Sequence, residues 1–293
     1  MFKILKISCI LLIVLCKNYE LCAAEYSLEE AKNKYYDLKL LQPKEDGDGR
    51  IQTLNKRGAM APQLDEVTKK FIEFSENRMV LEIGGAYGKA MMETLKKQHN
   101  VTYHLNDLDE RHLFIAAHNI ETLKLNQSTL DKIKFISGDI TSNLEIHDKY
   151  DAILIAHVLH FFSPEQLDKA VANIFNLLKD GGRVYAIAIT PYVKRYERFI
   201  PEYEKRVLNK EPFPGYVQSV KKWLNTSVTS SNQLASINDE PFMFMDQDVL
   251  TTIFKKHNFR IIECEMAGLK YKSKIWSLDG RETVILIAEK LSN

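Results

Sequence analysis

The sequence predicts an α/β fold that is doubly wound around a mostly parallel sheet, and three observations support this class. Short apolar runs alternate with amphipathic helical patterns through the middle of the chain. The runs are almost continuously apolar, which is typical of parallel strands buried on both faces. The first strand leads into a glycine-rich turn in the sequence "VLEIGGAYG", which starts at Val80. We therefore expect a ligand site at the carboxyl ends of the strands.

The predicted strands follow one another with helices in most of the gaps. The clearest helix begins at Ser163, which caps it, with Pro164 in the first helical position and Gln166 able to close the capping box. We expect this helix to end at Gly181-Gly182. The last two apolar runs are expected to form a hairpin at a sheet edge. The predicted strands are 79–83, 101–105, 133–136, 150–156, 183–189, 259–266 and 283–288.

Residues 1–24 have the pattern of a secretory signal peptide. They combine a lysine-containing start, an apolar run at 7–16 and a small-residue exit at 22–24. The run is too short to span a bilayer as a helix, which needs about 20 residues. We therefore expect a secreted or periplasmic protein, or one anchored by this segment, and membrane contact only there. An incorrect start site would instead imply a cytoplasmic protein.

The remaining chain is predicted to form one main domain. Residues 25–75 are expected to be a helical cap and linker, and 76–293 the domain itself. No strand pattern occurs between 190 and 244, and an insert of this length is usually functional, so we expect a lid. Its part 190–224 has a net charge of +4 with interleaved aromatic residues. Three interpretations of this part remain open: a solvated helix, a cover over an anionic or aromatic ligand, or a membrane-surface contact.

Composition excludes several partners. The net charge of the 293 residues is +1, so nothing in it favours DNA as a partner. The acidic loop 42–49 has Arg50 where a third ligand of a calcium loop would stand, so no metal site is expected.

Residues 49–62 are polar and basic. They are either a connecting loop or a segment that brings Arg50, Gln52, Asn55 or Arg57 close to a ligand.

The glycine turn does not fit a dinucleotide site. That site requires G-x-G-x-x-G, whereas Gly84, Ala86 and Lys89 occupy the three glycine positions here. The spacing that does fit is an acid followed by two glycines around a small residue, at Glu82, Gly84, Ala86 and Gly88. In this pattern the turn resembles the first motif of class I S-adenosylmethionine-dependent methyltransferases, which usually have glycine at the position of Ala86.

Three later strand ends extend the resemblance. Asp107 lies 23 residues after Gly84, where the family has the acid that accepts the ribose hydroxyls. Asp139, in "KFISGDI", matches the acid that accepts the adenine amino group, and Ile140 would lie against the adenine. The run "YDAILIAHVLHFF" resembles the fourth strand of the family. The resemblance thus implies a Rossmann-like, seven-stranded sheet with an antiparallel C-terminal edge strand. It also implies these contacts for S-adenosylmethionine: Glu82, Gly84, Gly85, Ala86, Gly88, Asp107, Leu108, Asp139, Ile140 and His157.

The resemblance implies methyl transfer to an unknown acceptor, either a small molecule, which we favour, or a protein. His157 and His160 follow the fourth strand and are the candidates for a general base, because imidazole titrates near neutrality. The box typical of methylases of exocyclic base amines is absent, since "AHVLHFF" takes its place. The acidic motif of polyamine synthases is not evident either. The alternative is a non-catalytic binding protein that retains the fold.

Overall fold

The computed structural model describes residues 24–98, 100–142, 144, 146–229 and 237–292. The predicted leader lies outside these residues except for Ala24. Among the described residues, no helix combines the length and apolarity needed to cross a membrane. The strands are β1 (Ala24–Ser27), β2 (Ile51–Gln52), β3 (Ala59–Met60), β4 (Met79–Ile83), β5 (Thr102–Asp107), β6 (Ile133–Ser137), β7 (Tyr150–Ala156), β8 (Leu178–Ile189), β9 (Tyr216–Val217), β10 (Phe242–Met243), β11 (Phe259–Ala267) and β12 (Thr283–Lys290).

The described strands build one eight-stranded sheet in the order β1-β6-β5-β4-β7-β8-β12-β11. The five central strands, from β6 to β8, are parallel, and β12 runs antiparallel to both of its neighbours. The predicted α/β class and mostly parallel sheet are therefore confirmed. Two details differ from the prediction. β1 adds an eighth, antiparallel strand, and the C-terminal strand β12 lies inside the sheet, so that β11 forms the edge.

Helices cover both faces of the sheet. One apolar core lies between the sheet and α6 and α8, and the other between the sheet and α2, α3 and α4. Neighbouring residues of β4 show the division, because Leu81 belongs to the first core and Val80 to the second. The helices are α1 (Leu28–Asp37), α2 (Glu66–Phe74), α3 (Lys89–Lys97), α4 (Glu110–Ile120), α5 (Gln127–Leu130), α6 (Pro164–Leu177), α7 (Ile200–Leu208) and α8 (Gln247–Lys256).

The predicted capping box of α6 is confirmed, whereas its predicted end is wrong. Ser163 accepts a hydrogen bond from the Gln166 amide, and Gln166 caps Ser163 in return. The helix ends at Leu177, and β8 begins at the next residue, where Leu178 pairs with Tyr150. Gly181-Gly182 instead lies in an irregular part of β8, with Gly181 at a φ of 74°. Glycine adopts this left-handed conformation readily, which lets the strand bulge.

Two segments outside the main sheet lie near the strand ends that form the site. The hairpin of β2 and β3 belongs to the segment 49–62. The insert after β8 carries α7, β9 and β10 and packs its aromatic side chains into a third apolar cluster. The connection between β11 and β12 joins this cluster through Ile275 and Trp276, although the sequence suggests only a polar loop there.

Candidate functional site

The turn between β4 and α3 is shaped by its glycines. The amides of Gly84 and Gly85 both donate to the carbonyl of Asn106, 2.8 and 3.2 Å away, which ties the turn to β5. A Cβ atom at Gly84 would lie 2.3 Å from Val158, and one at Gly85 would lie 2.3 Å from Leu105 and 2.7 Å from Glu82. These contacts are too close for any side chain. The two glycines therefore allow the backbone to pass directly beside the strand ends.

Asp107 joins the glycine turn to the next strand. Its carboxylate accepts hydrogen bonds from the amides of Ala86 (2.9 Å) and Asp109 (3.0 Å) and lies 3.0 Å from Nδ1 of His112. Because Nε2 of His112 accepts from the amide of Leu54 (3.1 Å), the imidazole proton is on Nδ1 and is donated to Asp107. A carboxylate has about four acceptor positions, so about one is left for a ligand hydroxyl. The resemblance implies that Asp107 accepts hydrogen bonds from two ribose hydroxyls.

Glu82 is a buried acid beneath the same turn. Its Oε2 accepts a hydrogen bond from the Tyr103 hydroxyl at 2.7 Å, and the residue is 5% exposed. Burial raises the pKa of Glu82 to about 8, and the charge of Asp107 raises it as well, against the hydrogen bond from Tyr103. A carboxyl group with such a pKa ionises readily when a cation binds beside it.

A cavity of about 220 Å³ opens above these residues. It is lined by every predicted cofactor contact except Gly88: Glu82, Gly84, Gly85, Ala86, Asp107, Leu108, Asp139, Ile140 and His157. Oδ1 of Asp139 accepts the Thr141 amide at 2.8 Å, and the carboxylate keeps further acceptor positions. Leu108 is 48% exposed although it is apolar. Gly88 does not line the cavity. It is the N-cap residue of α3, where its backbone has a φ of 75°.

Two residues with side chains have left-handed backbone at this cavity. Ala86 has a φ of 46° and His157 a φ of 59°. The conformation costs a residue other than glycine roughly 1–2 kcal/mol. Ala86 is held in it by the hydrogen bond to Asp107. Strain of this kind is concentrated at functional sites, where the surrounding structure fixes the backbone.

The hairpin of β2 and β3 closes one side of the cavity. Nζ of Lys89 donates to the carbonyls of Ala61 (2.7 Å) and Pro62 (2.6 Å), and the hydroxyl of Tyr87 donates to the carbonyl of Gln52 (3.0 Å). Together with the bond from Leu54 to His112, these contacts fix the segment 49–62 above the glycine turn. Of the four residues that the sequence places near a ligand, Asn55 and Arg57 line this cavity.

A second cavity of about 200 Å³ adjoins the first. Its walls come from the hairpin, the insert after β8 and the connection 267–282. Arg50, Gln52 and Arg57 reach it, and Tyr196, Phe242 and Trp276 give it aromatic walls. The residues that line both cavities are Arg57, Gly58, Ala59, Ala61, His157 and Phe161. A ligand in the first cavity and a ligand in the second would therefore contact the same residues, His157 among them.

The two predicted histidines take different places. His157 lies between the cavities, with Nε2 3.9 Å from the Asp65 carboxylate. Burial lowers the pKa of His157, which Asp65 opposes and Arg50 reinforces. His160 lines only the second cavity and is 2% exposed, and its ring lies 4.8 Å from that of Phe242. Burial and the neighbouring His157 lower the pKa of His160 well below its usual range. Both imidazoles are therefore neutral near pH 7.

Several residues of the site are not predicted by the sequence reasoning. Lys89 stands where a dinucleotide motif would have glycine, and its role as an anchor depends on contacts to carbonyls 27 and 28 residues away. His112 follows Asp107 by five residues, a spacing that a helix beginning after Asp109 brings into contact. Trp276 is the one tryptophan in a polar connection, and this isolated aromatic residue could have indicated a place in the site. Among the described residues, no group of three or more His, Cys, Asp and Glu side chains is placed to hold a metal ion.

Comparisons with known proteins agree with this geometry. Residues 81–184 match a sequence family described as a methyltransferase domain. The tetracenomycin polyketide synthesis 8-O-methyl transferase TcmO of Streptomyces glaucescens is 25% identical over 113 residues, which are 39% of this chain and 31% of that protein. The chain thus aligns with about a third of the length of this curated relative.

Solved structures show the same architecture. A SAM-dependent methyltransferase from Methanosarcina mazei superposes with a TM-score of 0.57 at 18% identity, covering 79% of this chain and all of that one. The N-methyltransferase NodS from Bradyrhizobium japonicum, in complex with S-adenosyl-L-homocysteine, gives a TM-score of 0.48 at 14% identity over 78% of this chain and 87% of its own. The first of these likenesses supports the fold.

The fold and the site define a nucleotide-binding α/β domain. The family match describes residues 81–184 as a methyltransferase domain, and it supports the class I S-adenosylmethionine-dependent methyltransferase fold and the cofactor predicted from the sequence. The residues present fit this cofactor. A glycine turn without room for side chains lies beside two carboxylates, Asp107 and Asp139, which face one cavity together with apolar Leu108 and Ile140.

Proposed function

We propose that the protein transfers a methyl group from S-adenosylmethionine to a small molecule bound in the second cavity. The observation that carries this proposal is the wall common to the two cavities, formed around His157 and Phe161. A methyl transferase must bring two ligands close together, and the residues common to the two cavities support this arrangement. The second cavity has the concave, largely apolar and aromatic lining typical of small-molecule sites.

The residues of the chain support the following division of roles. Asp107 and Asp139 would hold the nucleoside, and Glu82 would face its cationic end. When bound, S-adenosylmethionine supplies a methyl group that its sulfonium charge already activates. The protein mainly has to orient the acceptor and exclude water. An acceptor hydroxyl must also lose its proton, and the neutral imidazole of His157 is placed to accept it.

Oxygen is the acceptor atom that we favour. The Streptomyces relative is named as an O-methyl transferase of polyketide synthesis. A neutral base among the residues that line both cavities suits a hydroxyl acceptor, because the hydroxyl carries a proton that methylation displaces. A protein acceptor is less compatible with a cavity walled by three separate segments. The alternative function, a binding protein without catalysis, predicts cofactor binding but no methylated product.

The test is a screen for methylated products with the purified full-length chain, S-adenosylmethionine carrying an isotope-labelled methyl group and a library of small phenols and hydroxy acids. We expect one product class, formed together with S-adenosylhomocysteine. His157→Gln should lower kcat by about 100-fold, since a general base typically contributes at least that factor. His104→Gln is the matched control, because His104 is a buried imidazole that lines neither cavity. Cofactor binding without any labelled product would favour the binding protein.

A further inference from the structure

The second cavity is lined by two arginines on one aromatic ring, the buried Arg195 and the partly exposed Arg50. The guanidinium carbon of Arg50 lies 4.4 Å from the ring centroid of Trp276, and that of Arg195 lies 5.1 Å from the same centroid. Arg195 is 9% exposed, although arginine is almost never buried without a partner. The two cations come from distant parts of the sequence and meet on one indole ring.

Each guanidinium has one buried nitrogen that the described part of the chain leaves without a hydrogen-bond partner. The Nε atoms of Arg50 and Arg195 are buried and have no hydrogen-bond partner among the described residues. Burial lowers the pKa of Arg195, and the charge of Arg50 lowers it further, against the effects of Tyr196 and of the more weakly acting Asp46. Two like charges that are held close together, one of them out of water, cost free energy unless an anion joins them. The two buried Nε donors are left without an acceptor among the described residues.

The acidic residues that line the same cavity are engaged elsewhere or exposed. Glu282 accepts hydrogen bonds from four backbone amides, those of Leu269, Leu278, Asp279 and Gly280. Glu240 pairs with Arg57 at 3.1 Å. Asp46 and Asp48 are exposed, and Asp46 accepts two backbone amides. None of these contacts reaches the Nε atoms of the two arginines.

We propose that Arg50 and Arg195 bind the carboxylate of the acceptor, so that the substrate is a flat, acidic small molecule whose hydroxyl points toward His157. This inference rests on the proposed function and specifies its substrate class. Planar guanidinium groups suit a carboxylate because they offer paired donors in a fixed fork. Phe161, Tyr196 and Phe242 line the same cavity and would pack against an aromatic body.

The test compares 6-hydroxy-2-naphthoate with its neutral amide, which keeps the shape of the acid without its charge. Binding of each probe to the full-length chain is measured by calorimetry at neutral pH, with and without S-adenosylhomocysteine. We expect the acid to bind at least about tenfold more tightly than the amide, because hydrogen bonds to charged groups are the stronger ones. Arg195→Gln and Arg50→Gln should each weaken binding of the acid about tenfold and leave the amide unchanged.

Arg206→Gln is the matched control. Arg206 also packs on an aromatic ring, that of Phe199, but it pairs with Glu202 and lies outside the cavity. If Arg195→Gln does not fold, the less buried Arg50→Gln decides the question. Equal binding of acid and amide, no binding of the acid, or an equal loss in Arg206→Gln would each overturn the proposal. Binding of S-adenosylhomocysteine, followed in the same samples, reports separately on the cofactor site, so failure of the proposed function is distinguishable.

Discussion

At the scale of single residues, the site depends on acids whose surroundings differ. Asp107 accepts three hydrogen bonds from the protein, and Asp139 accepts the Thr141 amide and keeps free acceptor positions. Glu82 is buried, and this burial raises its pKa to about 8 although the Tyr103 phenol that donates to it acts in the opposite direction. The three carboxylates at successive strand ends thus have three different surroundings.

The raised pKa of Glu82 leads to a prediction about stability. A carboxyl group whose pKa rises on folding stabilises the fold fully below its unfolded pKa of 4.5, and this contribution is lost as the pH rises through about 8. Between these values the free energy of unfolding of the cofactor-free wild type should fall relative to that of Glu82→Gln, by about 3–5 kcal/mol. Urea denaturation across this pH range measures the difference. A difference that does not change with pH would contradict a buried, protonated Glu82.

Residues adjacent to predicted strands were predictable from the sequence, and residues that act through distant contacts were not. Gly84, Asp107 and Asp139 follow directly from the ends of apolar runs. The charge and the aromatic residues of 190–224 suggest an anionic or aromatic ligand. They do not show that Arg195 meets Arg50 and Trp276, because no local pattern specifies which of many charged residues is buried. Only the packing of three separate segments brings this group together.

At the scale of elements, the hairpin of β2 and β3 has no strand pattern in the sequence and is still the common wall of both cavities. It is short and depends on side chains of α3 and α4 for its position. Lys89 supplies two of these contacts. Two elements that differ from the sequence prediction, β1 and the glycine bulge of β8, differ for the same reason. Both are defined by pairing with a strand distant in the sequence.

Removal of the Lys89 anchor should loosen the hairpin. Burial lowers the pKa of Lys89, and the donor is held by two carbonyls, so Lys89→Met removes two charge-assisted hydrogen bonds. Amide hydrogen exchange in residues 51–61 should become about tenfold faster, which corresponds to the loss of at least one such bond. Lys96→Met on the exposed side of α3 is the control, since Lys96 pairs only with Glu93 three residues earlier. Unchanged exchange in Lys89→Met would show that Tyr87 and His112 suffice.

The role of the insert as a lid remains a prediction. Its described parts, 190–229 and 237–244, supply one wall of the second cavity, and Phe199 and Phe244 are fully buried in its own cluster. We expect amide exchange in these parts to slow when S-adenosylhomocysteine and the acidic probe bind together, because a lid closes on its substrate. Exchange that is equal in the free and bound proteins would make the segment a fixed wall. Residues 230–236 lie outside the described structure.

At the scale of the whole molecule, the sheet brings every predicted cofactor residue except Gly88 to one cavity. Parallel strands place their carboxyl ends together, so motifs far apart in the sequence become neighbours at one cavity. This property is the reason that the fold and the cofactor site could be predicted from the sequence. The acceptor site could not, since its walls come from the hairpin, the insert and the connection 267–282, which lie outside the regular alternation.

The predicted signal peptide leads to a prediction about where the mature protein begins. If residues 1–24 are removed as a signal peptide, the mature protein begins at Glu25, inside β1, and Tyr26 still packs against Phe114 with ring centroids 5.2 Å apart. N-terminal sequencing of protein from its native host checks this expectation. An intact Met1 on a soluble cytosolic species would refute it.

The central claim is that this chain binds S-adenosylmethionine at the carboxyl ends of its strands, and calorimetric titration with S-adenosylhomocysteine tests it most directly. We expect one site per chain in the wild type. Asp107→Ala should bind about 2–3 kcal/mol more weakly, because it removes a charged acceptor from the nucleoside and the partner of the Ala86 amide. Asp109→Asn, at the neighbouring helix cap, should keep wild-type affinity. A folded wild type that binds no S-adenosylhomocysteine, or an Asp107→Ala variant with unchanged affinity, would contradict the account.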